Sequence, residues 1–296
     1  MTHHYKKYYF LILAALLYFS CSFSLGAKEN HQTYYRKTDV LGTWWWYVPH
    51  HQVDSHLAFA AEKGVNEIYY YTMLHEYSVG SFIEKANNLG IKVFLLTDDY
   101  NYVWDRPAFI QLMFRFMNYQ SNAPENRRFA GLHMDIEPHQ HPDFDANRYT
   151  ILQDYMNFVV WLNRTYRPIL ERSTPGIQID WDIATWHYIY VMYNGVETKL
   201  YQALIMEADR VFVMAYQDSA QRTFNLARPE IEFARSLNKP IIIGAETGRW
   251  IEDPSISFYG KGRNYFYEQL GILHELINYD QHGLSVHHIS PWYSME

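Results

Sequence analysis

The sequence predicts a single (β/α)₈ barrel behind an export leader. Three observations lead there. Short apolar runs alternate with helix-patterned segments for most of the 296 residues. The runs are continuously apolar, as parallel strands covered on both faces are. The passages EKGVNEIYYY and NNLGIKVFLL repeat one plan of helix, glycine stop and buried strand. No strand is followed by G-x-G-x-x-G or a phosphate-loop glycine pattern, which argues against a doubly wound open sheet.

The elements follow in order. Residues 1–27 read as a signal peptide: Lys6 and Lys7 precede the apolar run Tyr9–Ser20, and small residues continue to Ala27. Cleavage near Ala27 is preferred over lipidation of Cys21, the chain's one cysteine. Residues 28–40 form a polar connector, and 41–296 the barrel. Strands are expected at Leu41–Tyr47, Asn66–Thr72, Ile91–Thr97, Phe129–Ile136, Gly176–Asp182, Arg210–Tyr216, Pro240–Ala245 and Leu284–Ile289. Helices are expected from Asp54, as a cap, to Lys63, up to Leu89, over Arg106–Gln120, over Phe144–Glu171 with a break near Pro168, and over Asn264–Tyr279. Gly64 and Gly90 are the stops. The chain ends soon after the eighth strand, so the last helix is expected to be incomplete or supplied by the connector.

Composition narrows the function. A net charge of −7 without a Lys/Arg cluster excludes a nucleic-acid partner of the usual kind. The 27 Tyr and 9 Trp suit either sugar-stacking surfaces or an aromatic-rich core, and the core accounts for most of them. Within the run Trp44–Trp46, alternation sends Trp45 to one face and its neighbours to the other.

In a barrel of this kind, chemistry sits where strands end at the C-terminal face. The expected ends carry Asp98-Asp99, His133-Met134-Asp135-Ile136-Glu137, Asp180-Trp181-Asp182, Tyr216-Gln217-Asp218 and Glu246-Thr247. His133, Asp135 and Glu137 share one face, and Glu137 points into the mouth, where it can serve as a proton donor. Two acids on an inward face imply a functional reason, because burying uncompensated carboxylates is costly.

The segment FAGLHMDIEP resembles the fourth-strand motif D-x-x-D-x-D-x-E of the family 18 glycoside hydrolases. The resemblance implies Glu137 as general acid and Asp135 as the acid that orients the substrate's acetamido group, whose oxygen attacks the anomeric carbon. The motif's other two acids are replaced by Ala130 and His133, so the strand lacks a proton-sharing pair; His133 is placed to hydrogen-bond Asp135. VFVMAYQD resembles the family's M-x-Y-[DN] pattern, which implies Tyr216 as partner of the acetamido group, with Gln217 in place of the usual acid or amide. Trp292 resembles the tryptophan that floors the family's central sugar site, and a core aromatic is the equal alternative. His133, Asp99, Asp182, Gln217, Glu246, Trp292 and Trp45 are the candidate substrate-binding residues.

The expectation is an exported glycosidase-like enzyme acting on a glycan, with no cofactor and with membrane association only through a lipid on Cys21. Three alternatives stay open. Glu137 with Glu246 resembles the acid/base and nucleophile of the large retaining clan of barrel glycosidases, although Ile136 stands where that clan has Asn. A barrel that has lost activity can bind sugar as an envelope protein. His133, Asp135, Glu137, His139 and His141 are dense enough to suggest a metallohydrolase, but no H-x-H strand or H-E-x-x-H helix accompanies them.

Overall fold

The computed structural model describes residues 40–74 and 78–296; the leader, Cys21 and nearly all of the connector lie outside them. Eight parallel strands close into a barrel: β1 (Leu41–Trp45), β2 (Glu67–Tyr71), β3 (Lys92–Thr97), β4 (Gly131–Met134), β5 (Gln178–Ile183), β8 (Arg210–Val213), β9 (Ile241–Glu246) and β10 (His282–His287). Each lies next to its successor among these eight, and β10 closes on β1 with Leu41 beside Leu284. All eight expected strands are present; six are shorter than their apolar runs, and β9 and β10 keep the expected length with shifted ends. The overhanging residues instead cover the barrel ends: Phe129 packs beneath the helices and Ile136 in the outer shell.

Helices α1 (Val53–Glu62), α2 (Ser78–Asn88), α3 (Arg106–Asn122), α4 (Phe144–Trp161), α5 (Arg167–Leu170), α6 (Leu200–Glu207), α7 (Ala220–Ser236), α8 (Arg263–Ile277) and α9 (Ile289–Tyr293) surround the barrel. Gly64 and Gly90 end their helices at φ 79° and 78°. Asp54 does not cap α1; it lies in the first turn and pairs with Lys85 of α2 at 2.6 Å. Before Pro168 the backbone widens to a π-turn over Leu162–Tyr166, as a ring without an N–H requires some such accommodation. The short α9 stands where a full last helix would be, with Trp292 buried beneath it. Among the described residues, no helix is long and apolar enough to cross a membrane.

Between β5 and β8 the chain adds a hairpin, β6 (Tyr190–Tyr193) and β7 (Val196–Lys199), which the strand count did not anticipate. Its turn, Asn194-Gly195, has positive φ at both residues, the geometry for which Asn-Gly is suited. Helices α6 and α7 were also unanticipated.

Period-two alternation divides each strand between two cores. Outward residues such as Trp45, Leu132, Trp181 and Ile243 pack under the helices. Inward residues Trp44, Tyr69, Phe94, Phe212 and Ile242 fill the barrel. Gly42 is inward as well, and a Cβ there would lie 2.0 Å from the Tyr69 hydroxyl, so Tyr69 occupies the space of a missing side chain. Below these rings Arg210 spans the barrel, with bonds of 3.0 and 2.8 Å to Glu67 and of 3.1 and 2.6 Å to Asp180. Its guanidinium lies 5.4 Å from the Phe94 ring centroid and 5.3 Å from that of Phe212. Two buried carboxylates thus share one cation. Arg210→Met should cost roughly 3–5 kcal/mol, read from the urea midpoint, because it leaves both acids without a counter-charge. Adding Glu67→Gln and Asp180→Asn should recover a large part; an unchanged midpoint in the single variant would refute the cluster's structural role.

Candidate active site

Inward residues continue past the strand ends into the mouth. On β4 the Asp135 N–H donates to Thr97 O at 2.9 Å, which extends the ladder one residue and aims Asp135 inward. Glu137, two residues on, sits higher with 23% of its side chain exposed. Its carboxylate receives Gln140 Nε2, and His139 Nε2 lies 3.7 Å away.

The register that pairs Met134 with Trp181 brings Asp135 abreast of Asp182 on β5. The two carboxyls interact strongly, and Oδ1 of each is buried without a hydrogen-bond partner. Two carboxylates can meet in this way only if one carries a proton. Burial raises the Asp182 carboxyl as well, but its Oδ2 receives His133 Nε2 at 2.8 Å and Trp44 Nε1 at 3.2 Å, so of the two Asp182 is the better-stabilised anion. Asp135 therefore holds the proton: burial, then the charges of Asp182 and Glu137, push its carboxyl well above the usual range. His133 is fully buried and stacked on Tyr69 at 3.9 Å; burial lowers its value to about 3, so it is the neutral donor. It bonds Asp182, not Asp135. The partner acid that the fourth-strand segment lacks is thus provided by the next strand.

Across the mouth, the β9–β10 register sets Glu246 directly beside His287, with Oε2 to Nδ1 at 2.7 Å. Glu246 Oε1 accepts the Gly248 N–H at 2.5 Å. Burial opposes the charge on Glu246, yet the bond and charge of His287, with Gly248 and Trp250, hold it below the usual range. Burial likewise opposes the charge on His287, and Glu246, Asp135 and Asp182 more than offset it, raising its value. Tyr216 lies over Gly244, where a Cβ would meet its ring at 2.9 Å, with its ring centroid 5.8 Å from that of His287. Burial, followed by Glu246, Asp182, Asp135 and Glu137, raises the Tyr216 hydroxyl well above its ordinary value, so it remains a donor.

Asp135, Glu137, Tyr216, His133, Asp182 and Glu246 are thus brought together. Gln217 follows Tyr216, half-buried, and its carbonyl receives Thr223 Oγ1 at 3.4 Å. Asp99 is exposed and accepts the Asn101 N–H at 2.9 Å; its neighbour Asp98 is half-buried, and burial, then Asp99 and Glu137, raise its carboxyl. Trp45 lies in the outer shell against Phe82 at 4.9 Å, and Trp292 packs between Phe59 and Phe266 with no exposed surface. Neither reaches the mouth; Trp44 and Trp46 are the inward members of their run. His141 accepts the Asp143 N–H at 3.1 Å and packs on Trp104. Among the described residues, no group of three or more His, Cys, Asp or Glu side chains is arranged to hold a metal. A surface hollow of about 790 Å³, lined by Tyr201, Arg228 and Phe233, lies on the outer helices away from these acids.

Sequence reading missed Asp98, Trp44 and His287. Parity was the available signal for Trp44, and for His287 the end of the eighth strand. The Glu246–His287 pair has a definite pH signature. The raised His287 value adds stability that is complete below about pH 6.5 and is lost as pH rises through that raised value. The lowered Glu246 value adds stability present above about pH 4.3 and lost as pH falls through it. The cost of His287→Gln in urea unfolding should therefore be largest near pH 6.5. It should shrink above that by about 1.4 kcal/mol for each unit by which His287 is raised. A cost independent of pH from 6 to 10 would contradict the imidazolium assignment.

No protein-family model and no curated protein matches the sequence. Solved structures do resemble it. The spore cortex-lytic enzyme SleL of Bacillus cereus aligns with a TM-score of 0.50 at 10% identity, over 86% of this chain and 72% of that one. The β-galactosidase of Marinomonas ef1 aligns with a TM-score of 0.50 at 10% identity, over 84% of this chain and 53% of that one. The chitinase of Chromobacterium violaceum aligns at 0.44 and 12% identity, over 70% and 68%. At such identities the likeness is one of fold alone: the chain is a (β/α)₈ barrel, as the sequence predicts.

Proposed function

We propose that the chain is a glycosidase acting on a glycan that contains N-acetylhexosamine, with the substrate's acetamido oxygen as nucleophile. The observation that carries this reading is the buried Asp135 abreast of Asp182 on the next strand, two residues before Glu137, with Tyr216 at the same barrel end. Glu137 passes its proton to the glycosidic oxygen as the bond to the anomeric carbon breaks. The acetamido oxygen closes on that carbon to give a cyclic oxazolinium ion. Asp135 and Tyr216 hold the acetamido group. As positive charge grows on its nitrogen, the Asp135 proton passes to Asp182, and the freed Asp135 carboxylate accepts the N–H. Water, giving its proton to Glu137, then reopens the ring with the anomeric configuration retained. His133 and Trp44 set how readily Asp182 takes the proton. The apolar leader supports export, with Cys21 as the residue able to carry a lipid anchor.

Glu137→Gln should reduce kcat on an N-acetylated glycan by roughly 10²–10⁴-fold at an unchanged unfolding midpoint. Full activity in that variant would end the proposal. Asp182→Asn should lower kcat more than it alters KM and should displace the acidic limb of the pH profile, whereas a purely structural role would move only stability. Turnover of sugars lacking the acetamido group would instead favour Glu246 as an enzyme nucleophile.

A further inference from the structure

The hairpin β6–β7 has two edges, and only one of them is closed. Its register pairs Tyr190 with Lys199, Val191 with Thr198, Met192 with Glu197 and Tyr193 with Val196. In an antiparallel pair every second residue turns its N–H and C=O away from the partner strand. Gln153 of α4 identifies the outward set. Its side chain accepts the Met192 N–H at 2.7 Å and donates to the Met192 carbonyl at 3.1 Å. Met192 and its partner Glu197 therefore turn their backbone groups outward, and so do Tyr190 and Lys199. The Leu200 N–H, next in the ladder, donates inward to Ile189 O at 2.9 Å, as this parity requires. Gln153 thus seals the β6 edge with an amide that stands in for a strand. On the β7 edge, among the described residues, the Glu197 N–H and C=O and the Lys199 N–H meet no such partner.

An open strand edge is a template for another strand. Charged residues commonly deter such pairing, but here the two charges are opposite in sign and two residues apart. Let two copies of β7 meet antiparallel about a two-fold axis at Thr198. Glu197 of each copy then lies opposite Lys199 of the other, with their outward backbone groups facing, and Thr198 lies opposite Thr198. Moving the axis to Glu197 or to Lys199 sets like charges against each other, so charge selects one register. Among the described residues neither Glu197 nor Lys199 has an ion-pair partner of its own; the Lys199 ammonium lies 5.9 Å from the Tyr201 ring centroid. Lys199 also precedes α6, which begins without a side-chain cap and without an acid in its first turn. Glu197 of a second copy would bring a carboxylate to that helix end, where it is favoured. On the same face as Glu197 and Lys199 stand Tyr190 and Met192, 45% and 54% exposed, and pairing would join the two apolar strips into one.

We propose that the free edge of β7 is a self-association surface whose partner is a second copy of this chain, the two hairpins joining across a two-fold axis at Thr198 into one antiparallel sheet. The shared edge is short, so the dimer is a weak one. Sedimentation equilibrium of the full chain, from roughly 10 µM to 1 mM, tests it. Dimer should form within that range and should weaken as salt is added. Glu197→Lys and Lys199→Glu should each weaken dimerisation by roughly tenfold or more, because each sets like charges opposite one another twice. An equimolar mixture of the two variants should dimerise again, since the exchanged charges complement each other across the axis. Urea midpoints measured on each variant confirm that it is folded. A monomer throughout the concentration range overturns the proposal. Association that either variant keeps at full strength also overturns it, because the contact then lies elsewhere on the chain. Failure of the mixture to recover what the single variants lose overturns the register, and with it the pairing.

Discussion

Closing eight parallel strands into a ring sends every second side chain into a space that water hardly enters. Any charge placed there must be answered from another strand, because no solvent is available to answer it. The chain meets this constraint three times along the barrel axis. Arg210 answers Glu67 and Asp180 low in the barrel, His133 and Trp44 answer Asp182 higher up, and His287 answers Glu246 at the rim. Aromatic rings separate these groups: Tyr69, Phe94 and Phe212 lie between the lowest cluster and the mouth.

The same constraint makes the mouth chemically uneven. Asp182 has two donors, His133 and Trp44, which offset part of the burial that raises its carboxyl. Asp135 has no such donor to its Oδ1, and burial with the charges of Asp182 and Glu137 raises its carboxyl well above the usual range. Glu246 is tied to an imidazolium and is locked in its charged form. Glu137 stands above them with part of its surface in solvent. The carboxyl groups at one barrel end thus differ in their environment because each has different neighbours.

Much of this was legible in sequence, and the illegible part has a common cause. The eight strands were found because each is an apolar run bounded by turn residues. Gly64 and Gly90 marked helix ends because few other residues tolerate positive φ there. Hairpin β6–β7 was missed although Asn194-Gly195 is a strong local turn signal, since its strands alternate too briefly to stand out beside barrel strands. Trp45 and Trp292 were placed at the sugar site by type and position, but parity and the packing of α9 put them in the outer shell. Asp99 and Asp98 were indistinguishable as neighbours until the 3-10 turn at Tyr100 turned Asp99 outward to cap it.

By itself the sequence determined the barrel, the face at which its chemistry collects and the inward set His133, Asp135 and Glu137. All three follow from local rules: apolar period, strand polarity and two-residue alternation. Only the tertiary structure decided which acid partners Asp135. Asp182 lies 47 positions along the chain, and the β4–β5 register alone brings the two carboxyls together. The same holds for His287 beside Glu246. Sequence patterns report which way a side chain faces; strand register and barrel closure decide what it meets there.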